Sequence, residues 1–79
     1  MNNAKLTKAA NVEAGMTLKY FKGFLETFEM EVAHKEELSN GEIVLKGKVT
    51  KILTTGKREH WHSVGTLLVH PNKMFHLLN

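Results

Sequence analysis

The densest cluster of chemically capable side chains is Gly56-Lys57-Arg58-Glu59-His60-Trp61-His62-Ser63. It contains the sole arginine, the sole tryptophan and two of the five histidines of a 79-residue chain. If this stretch is a strand, alternation puts His60 and His62 on one face and Trp61 on the other. Two imidazoles at that spacing can ligate zinc at about 2.0–2.1 Å per bond, with His70 or His76 to complete the set. The chain has no cysteine and no aspartate to add. Two imidazoles flanking a core tryptophan explain the pattern more simply, so no metal or other cofactor is expected.

Catalysis has less to stand on. His62 and Ser63 are neighbours on opposite strand faces and cannot form a nucleophile–base pair with each other. A pair of working carboxylates would need a cleft, for which so small a domain has little room. No glycine-rich phosphate loop is present. The expectation is a non-enzyme with no catalytic residue and no small-molecule substrate.

Binding suits the residues better. From 43 to 58 the chain carries Lys46, Lys48, Lys51, Lys57 and Arg58 and no acid, whereas from 26 to 42 it carries six glutamates and one lysine. A basic strand face would neutralise phosphates, with His60 and His62 assisting. Trp61 or Tyr20 would stack on bases, each worth roughly 1–3 kcal/mol. This makes a nucleic-acid-binding accessory protein the first expectation. The same aromatics support a second: Trp61 with Tyr20, Phe21 or Phe75 anchors an inhibitor or adaptor of the phage or mobile-element type on a larger host protein, with lysines as the rim. A homodimer is a further possibility. The two charge blocks also allow a different outcome, in which opposite charges simply face each other across adjacent strands.

The bulk composition bounds these readings. The formal charge is +3 and the pI about 9.3, which is only mildly basic. Arginine is the better bidentate phosphate ligand, and here lysine dominates. A chain of this length buries only about 60% of the surface it exposes unfolded, so a partner or a second copy matters for stability. The absence of cysteine fits a reducing compartment. No apolar run approaches the roughly 20 residues of a membrane helix, and the start lacks the apolar core of a signal peptide. A cytoplasmic protein that avoids membranes is expected.

These residues must be positioned by short strands. Residues 1–10 are polar and read as a frayed N-terminal segment, with 11–79 as one domain. Residues 16–21 alternate as a strand after a turn at Gly15. Residues 24–38 read either as a strand or, with Phe21, Phe24, Leu25, Phe28 and Val32 as a stripe, as a helix. A two-residue turn at Asn40-Gly41 sets Leu38 against Ile43 and Val32 against Val49. Residues 43–53, 60–70 and 74–78 supply the remaining strands. A change of phase at Thr50-Lys51 suggests a bulge there, and Gly65 suggests a bend.

Gly47-Lys48-Val49-Thr50-Lys51-Ile52 resembles the second half of the KOW motif of SH3-like barrels in ribosomal and transcription-elongation proteins. Only six residues match, and the motif's first half is not at the right distance, so no family is assigned. The expected architecture is a small antiparallel five-stranded barrel, SH3-like or OB-like. The alternative is an α+β domain with a helix at 22–38 packed on an antiparallel sheet.

Overall fold

The computed structural model describes residues 5–22 and 26–78. The protein is mainly β: one antiparallel sheet of six strands in the order β1-β6-β2-β3-β4-β5, and it does not close. The strands are β1 (Lys5–Lys8), β2 (Thr17–Lys22), β3 (Glu26–Glu37), β4 (Ile43–Ile52), β5 (Arg58–Val69) and β6 (Met74–Leu77). A 3-10 turn at Ala9–Asn11 joins the first two. The expected five-stranded barrel is therefore corrected to an open six-stranded sheet. Its extra strand, Lys5–Lys8, lies along β6, in the stretch expected to fray. The expected helix at 22–38 is replaced by a strand over Glu26–Glu37. Gly23, Phe24 and Leu25, which both versions used, lie outside the described residues, as do 1–4 of the N-terminal segment.

One face of the sheet is apolar because the alternation in β3 and β4 is kept in step. Phe28, Met30 and Val32 on β3 and Ile43, Leu45 and Val49 on β4 are all buried, while the residues between them are exposed or half-buried. Leu18 on β2 and Phe75 on β6 join the same face. Ala9 and Val12 on the 3-10 turn cover its lower end. That turn is tied to the β5–β6 connection by the Ala9 amide donating to the Lys73 carbonyl at 2.8 Å and the Ala10 amide donating to Pro71 at 3.0 Å. The chain leaving β5 crosses the open side of the curled sheet to reach β6. The result is a half-barrel shut at one end.

The β3–β4 hairpin corrects the expected register by one residue. The Leu38 amide donates to the Glu42 carbonyl at 2.8 Å, so the loop is Ser39-Asn40-Gly41, three residues long, with Gly41 at φ 90°. This is the three-residue hairpin with a left-handed last position, not the two-residue turn. Glu37 faces Ile43 and His34 faces Lys46. A bulge at Ala33 then shifts the pairing so that Val32 faces Gly47. Without the bulge, a one-residue slip would turn the rest of the strand inside out.

The curl itself depends on two glycines. Gly47 and Gly65 are cross-strand partners. A Cβ on Gly47 would collide with the Glu31 carbonyl and sit 3.0 Å from the Val32 Cα, and one on Gly65 would collide with a Val49 methyl. Side chains there would force β3, β4 and β5 apart. The expected bend at Gly65 is thus present. The irregularity expected within β4 lies instead in β5: opposite Gly47 to Thr50, β4 advances three residues while β5 runs from Gly65 to His60.

We expect Gly47→Ala to cost at least about 3 kcal/mol or to prevent folding, because the obstacle is backbone. Gly65→Ala should cost about 1–3 kcal/mol. Combining it with Val49→Ala should lose clearly less than the sum of the two single changes, since the methyl in the way is gone. Urea unfolding of the set measures this.

Candidate binding groove

Because directly opposed residues share a face, the register assigns every side chain to the inner or outer surface. Lys46 faces His34 and Thr66, and Lys48 faces Glu31, all outside the barrel and exposed. Lys19 faces Glu29 on the same outer surface. Arg58 is ion-paired with Glu29, which raises the guanidinium pKa further through that hydrogen bond and charge. On the outer surface Lys19, Lys48 and Arg58 thus each lie beside a glutamate, while Lys46 lies between two uncharged partners. The glutamate block and the lysine block face each other, and the continuous basic strand face is not formed.

The inner surface is different. The β2–β6 register covers Leu18 and Lys19, so among the described residues Tyr20, Phe21 and Lys22 have β3 on one side and no strand on the other. β5 is the edge of the sheet, and Arg58–Val64 are exposed throughout. Between these two unpaired segments lies a groove of about 520 Å³. Its floor is Phe28, Val49, Leu67, Val69 and Phe75. Tyr20 and Trp61 form its walls. Tyr20 stacks on Phe28 with ring centroids 5.7 Å apart and meets Phe75 edge-on at 6.5 Å. Trp61 meets Phe28 at 5.9 Å, inclined by 61°. Burial pushes the Tyr20 hydroxyl above its ordinary pKa, so it stays a proton donor at neutral pH.

The irregularities in β5 bring Trp61 here. His60 faces Thr50 on the outer surface, and His62 faces Val49 on the inner one. Trp61, between them, is the extra residue of a bulge, and it turns inward beside His62 with rings 5.6 Å apart. This reverses the simple alternation, which had paired His60 with His62 and sent Trp61 the other way. Nor is Trp61 core, since it is 45% exposed. The Lys51 ammonium lies 4.7 Å from the centre of the indole and 3.3 Å from a Glu26 carboxylate oxygen. Lys51 therefore belongs to the groove's edge, while Lys57 sits in the exposed β4–β5 turn.

Of the nine residues singled out from sequence, the structure gathers Tyr20, Trp61 and His62 in the groove, with Lys51 against the Trp61 ring. Lys46, Lys48, Arg58 and His60 lie on the other surface. Lys22 and Lys73 were missed. With His62 they supply the ionisable wall groups, and no carboxylate lines the groove. Lys22 carried a signal, being two residues from Tyr20 on the same strand face. Lys73 carried none, because it arrives through the crossing connection. Among the described residues no group of three or more His, Asp, Glu or Cys converges as a metal cage. No helix there is long and apolar enough to cross a membrane. No family model, no curated protein and no solved structure matches this chain.

The arrangement separates stability from recognition. Phe28→Ala should cost about 3–5 kcal/mol, as for a buried aromatic. Trp61→Ala should cost about 1 kcal/mol or less, since half of the ring is in water. Thermal and urea melts of the two variants check this. Adding zinc or a chelator should leave the melting temperature unchanged, since the separation of His60 from His62 removes the paired ligand geometry.

Proposed function

We propose that the protein is a non-enzymatic binding module that holds single-stranded nucleic acid in the groove between β2 and β5. The observation that carries this is a half-exposed indole set in an aromatic wall whose ionisable neighbours along the lining, among the described residues, are Lys22, Lys73 and His62 and the weakly acidic Tyr20 hydroxyl. A base offers a flat face to Trp61 and Tyr20, and its phosphates lie within the field of the two lysines. Stacking platforms combined with cationic side chains are how single strands are held without sequence preference. The groove is too narrow and too apolar for a duplex backbone, whose recognition would call for an uncompensated cationic surface. The outer face, with most of its cations beside glutamates, does not offer one. Lys46, Lys48, Arg58 and His60 are accordingly left out of the site.

Protein recognition is the second reading, favoured by Phe21, which is 63% exposed at the rim of the groove with its ring on the outer face beside Lys19 and His76. An apolar side chain flanked by acids would satisfy the same walls and the same lysines.

The test uses the single tryptophan as reporter. Titration with a mixed-sequence DNA or RNA oligonucleotide should quench its fluorescence, with affinity falling as salt rises. The slope of log affinity against log salt should be about −1.4 if Lys22 and Lys73 each neutralise one phosphate, at about −0.7 per phosphate for single strands. Trp61→Phe should weaken binding modestly and Trp61→Ala by roughly five- to 150-fold, followed by anisotropy of a labelled oligonucleotide. Lys46→Glu with Lys48→Glu should change it little. Absence of binding at low salt, or dependence on Lys46 and Lys48 in place of Trp61, would overturn the assignment. The first of these outcomes would leave the groove to a protein segment.

A further inference from the structure

We infer that the free edge of β5 is a twofold interface at which a second copy of this chain pairs antiparallel, β5 to β5, extending the sheet across both molecules. β5 is twelve residues long and lies at the end of the sheet, so one side of its backbone has no strand partner. Edges of this length are ordinarily protected by charge, proline or brevity. The opposite edge, β1, has that protection, with four residues that begin and end in lysine. β5 is bulged in its first half, but from His60 to Val69 it carries no lysine, arginine, carboxylate or proline. Over its regular half the side chains are apolar or neutral, with Leu68 57% exposed, and Val64, 70% exposed, stands where that half meets the bulge and also borders the groove, with Thr66 midway between the two.

That pattern selects a second copy over an unrelated strand. Opposed residues of two antiparallel strands share a face, so a twofold axis perpendicular to the sheet must pass midway between the two copies of one residue. With Thr66 as that residue, Val64 of each copy faces Leu68 of the other on the outer surface, and Gly65 faces Leu67 on the inner one. Both exposed aliphatic side chains are covered by each other, and threonine meets threonine, a favourable cross-strand pair. The neutral stretch also removes the usual objection to self-pairing, which is like charges meeting across the axis. Of the stretch that would pair, Gly65 to Leu68 is held in regular register by Val44 to Gly47 behind it. The axis leaves both grooves opening on the same side of one continuous sheet.

Sedimentation equilibrium over a range of concentrations, without nucleic acid, tests this. The wild-type protein should dimerise with a micromolar dissociation constant. Val64→Lys and Leu68→Glu should each weaken self-association by about tenfold or more, a loss of about 1.4 kcal/mol. Both positions are already in water, so the melting temperature of the dilute monomer should be unchanged. Mixing the two variants should restore association as a heterodimer, because the introduced lysine of one would face the introduced carboxylate of the other. A wild-type protein monomeric at every concentration would overturn the inference and leave the edge for another protein's strand. Self-association indifferent to both substitutions would overturn it too, and mixed variants that fail to pair would refute the Thr66-centred register.

Discussion

Everything in this fold turns on how closely three backbones approach one another at Gly47 and Gly65. A sheet of six short strands has no second layer to pack against, so it must bury its apolar face by wrapping around it. Wrapping needs local curvature, and here curvature comes from removing side chains where β3, β4 and β5 are most compressed, with bulges at Ala33 on β3 and within β5 on either side. The bulges absorb the extra length of the outer path. They also keep the two halves of β3 facing the same interior. Any residue with a Cβ at position 47 would flatten the sheet, and a flat sheet of this size could cover neither Met30 nor Leu45.

The same wrapping explains why the interior is unequal along its length. At the lower end, the 3-10 turn and the 71–73 connection close the half-barrel, and Ala9, Val12, Leu18 and Leu45 are fully shielded. At the upper end, β6 is too short to accompany β2 beyond Lys19, and β5 leans away past its bulges. The large aromatic side chains are needed there because there is no strand to fill the space. Tyr20 stacked on Phe28 and Trp61 inclined against it bridge the gap, and part of the indole stays in water. An incomplete barrel of this kind has a recognition surface by default, because the residues that would otherwise be core stand open on one side.

Much of this was legible in the sequence. The five strands from Thr17 to Leu77 follow from alternation and turn residues, and Gly65 stood out as a break in an otherwise β-branched and aliphatic run. The charge blocks at 26–42 and 43–58 were visible too, and of the two outcomes they allowed, compensation across β3 and β4 is the one formed. What could not be read was the phase. The hairpin at Ser39-Asn40-Gly41 holds one residue more than the shortest turn, which alters every predicted pair; the bulge at Ala33 restores the inward face but leaves Val32 opposite Gly47 in place of Val49. Strand alternation likewise assigned Trp61 to the face opposite His62, because a bulge leaves no mark in residue types when both its residues are aromatic or imidazole. The short strand Lys5–Lys8 escaped notice because only Leu6 in it is apolar, and its place is fixed by the partner β6 rather than by its own pattern.

The redistribution of the basic residues follows from the same error of phase. A run such as Ile43–Ile52 contributes lysines to both surfaces: Lys46 and Lys48 fall outside, and Lys51 falls inside. Reading them as one patch treats sequence proximity as spatial proximity, which a strand contradicts at every second residue. On the outer surface Lys19, Lys48 and Arg58 each have a glutamate across the strand, whereas Lys46 lies between His34 and Thr66, so most of the positive charge there is compensated. On the inner surface Lys22 and Lys73 reach the groove from a strand end and a turn, while Glu26, directly opposite Lys22, is ion-paired with Lys51, and Glu59 lies opposite Lys51. The groove lining thus places two lysines and, among the described residues, no carboxylate beside the exposed aromatics, and the local balance of charge there matters more than the total of +3.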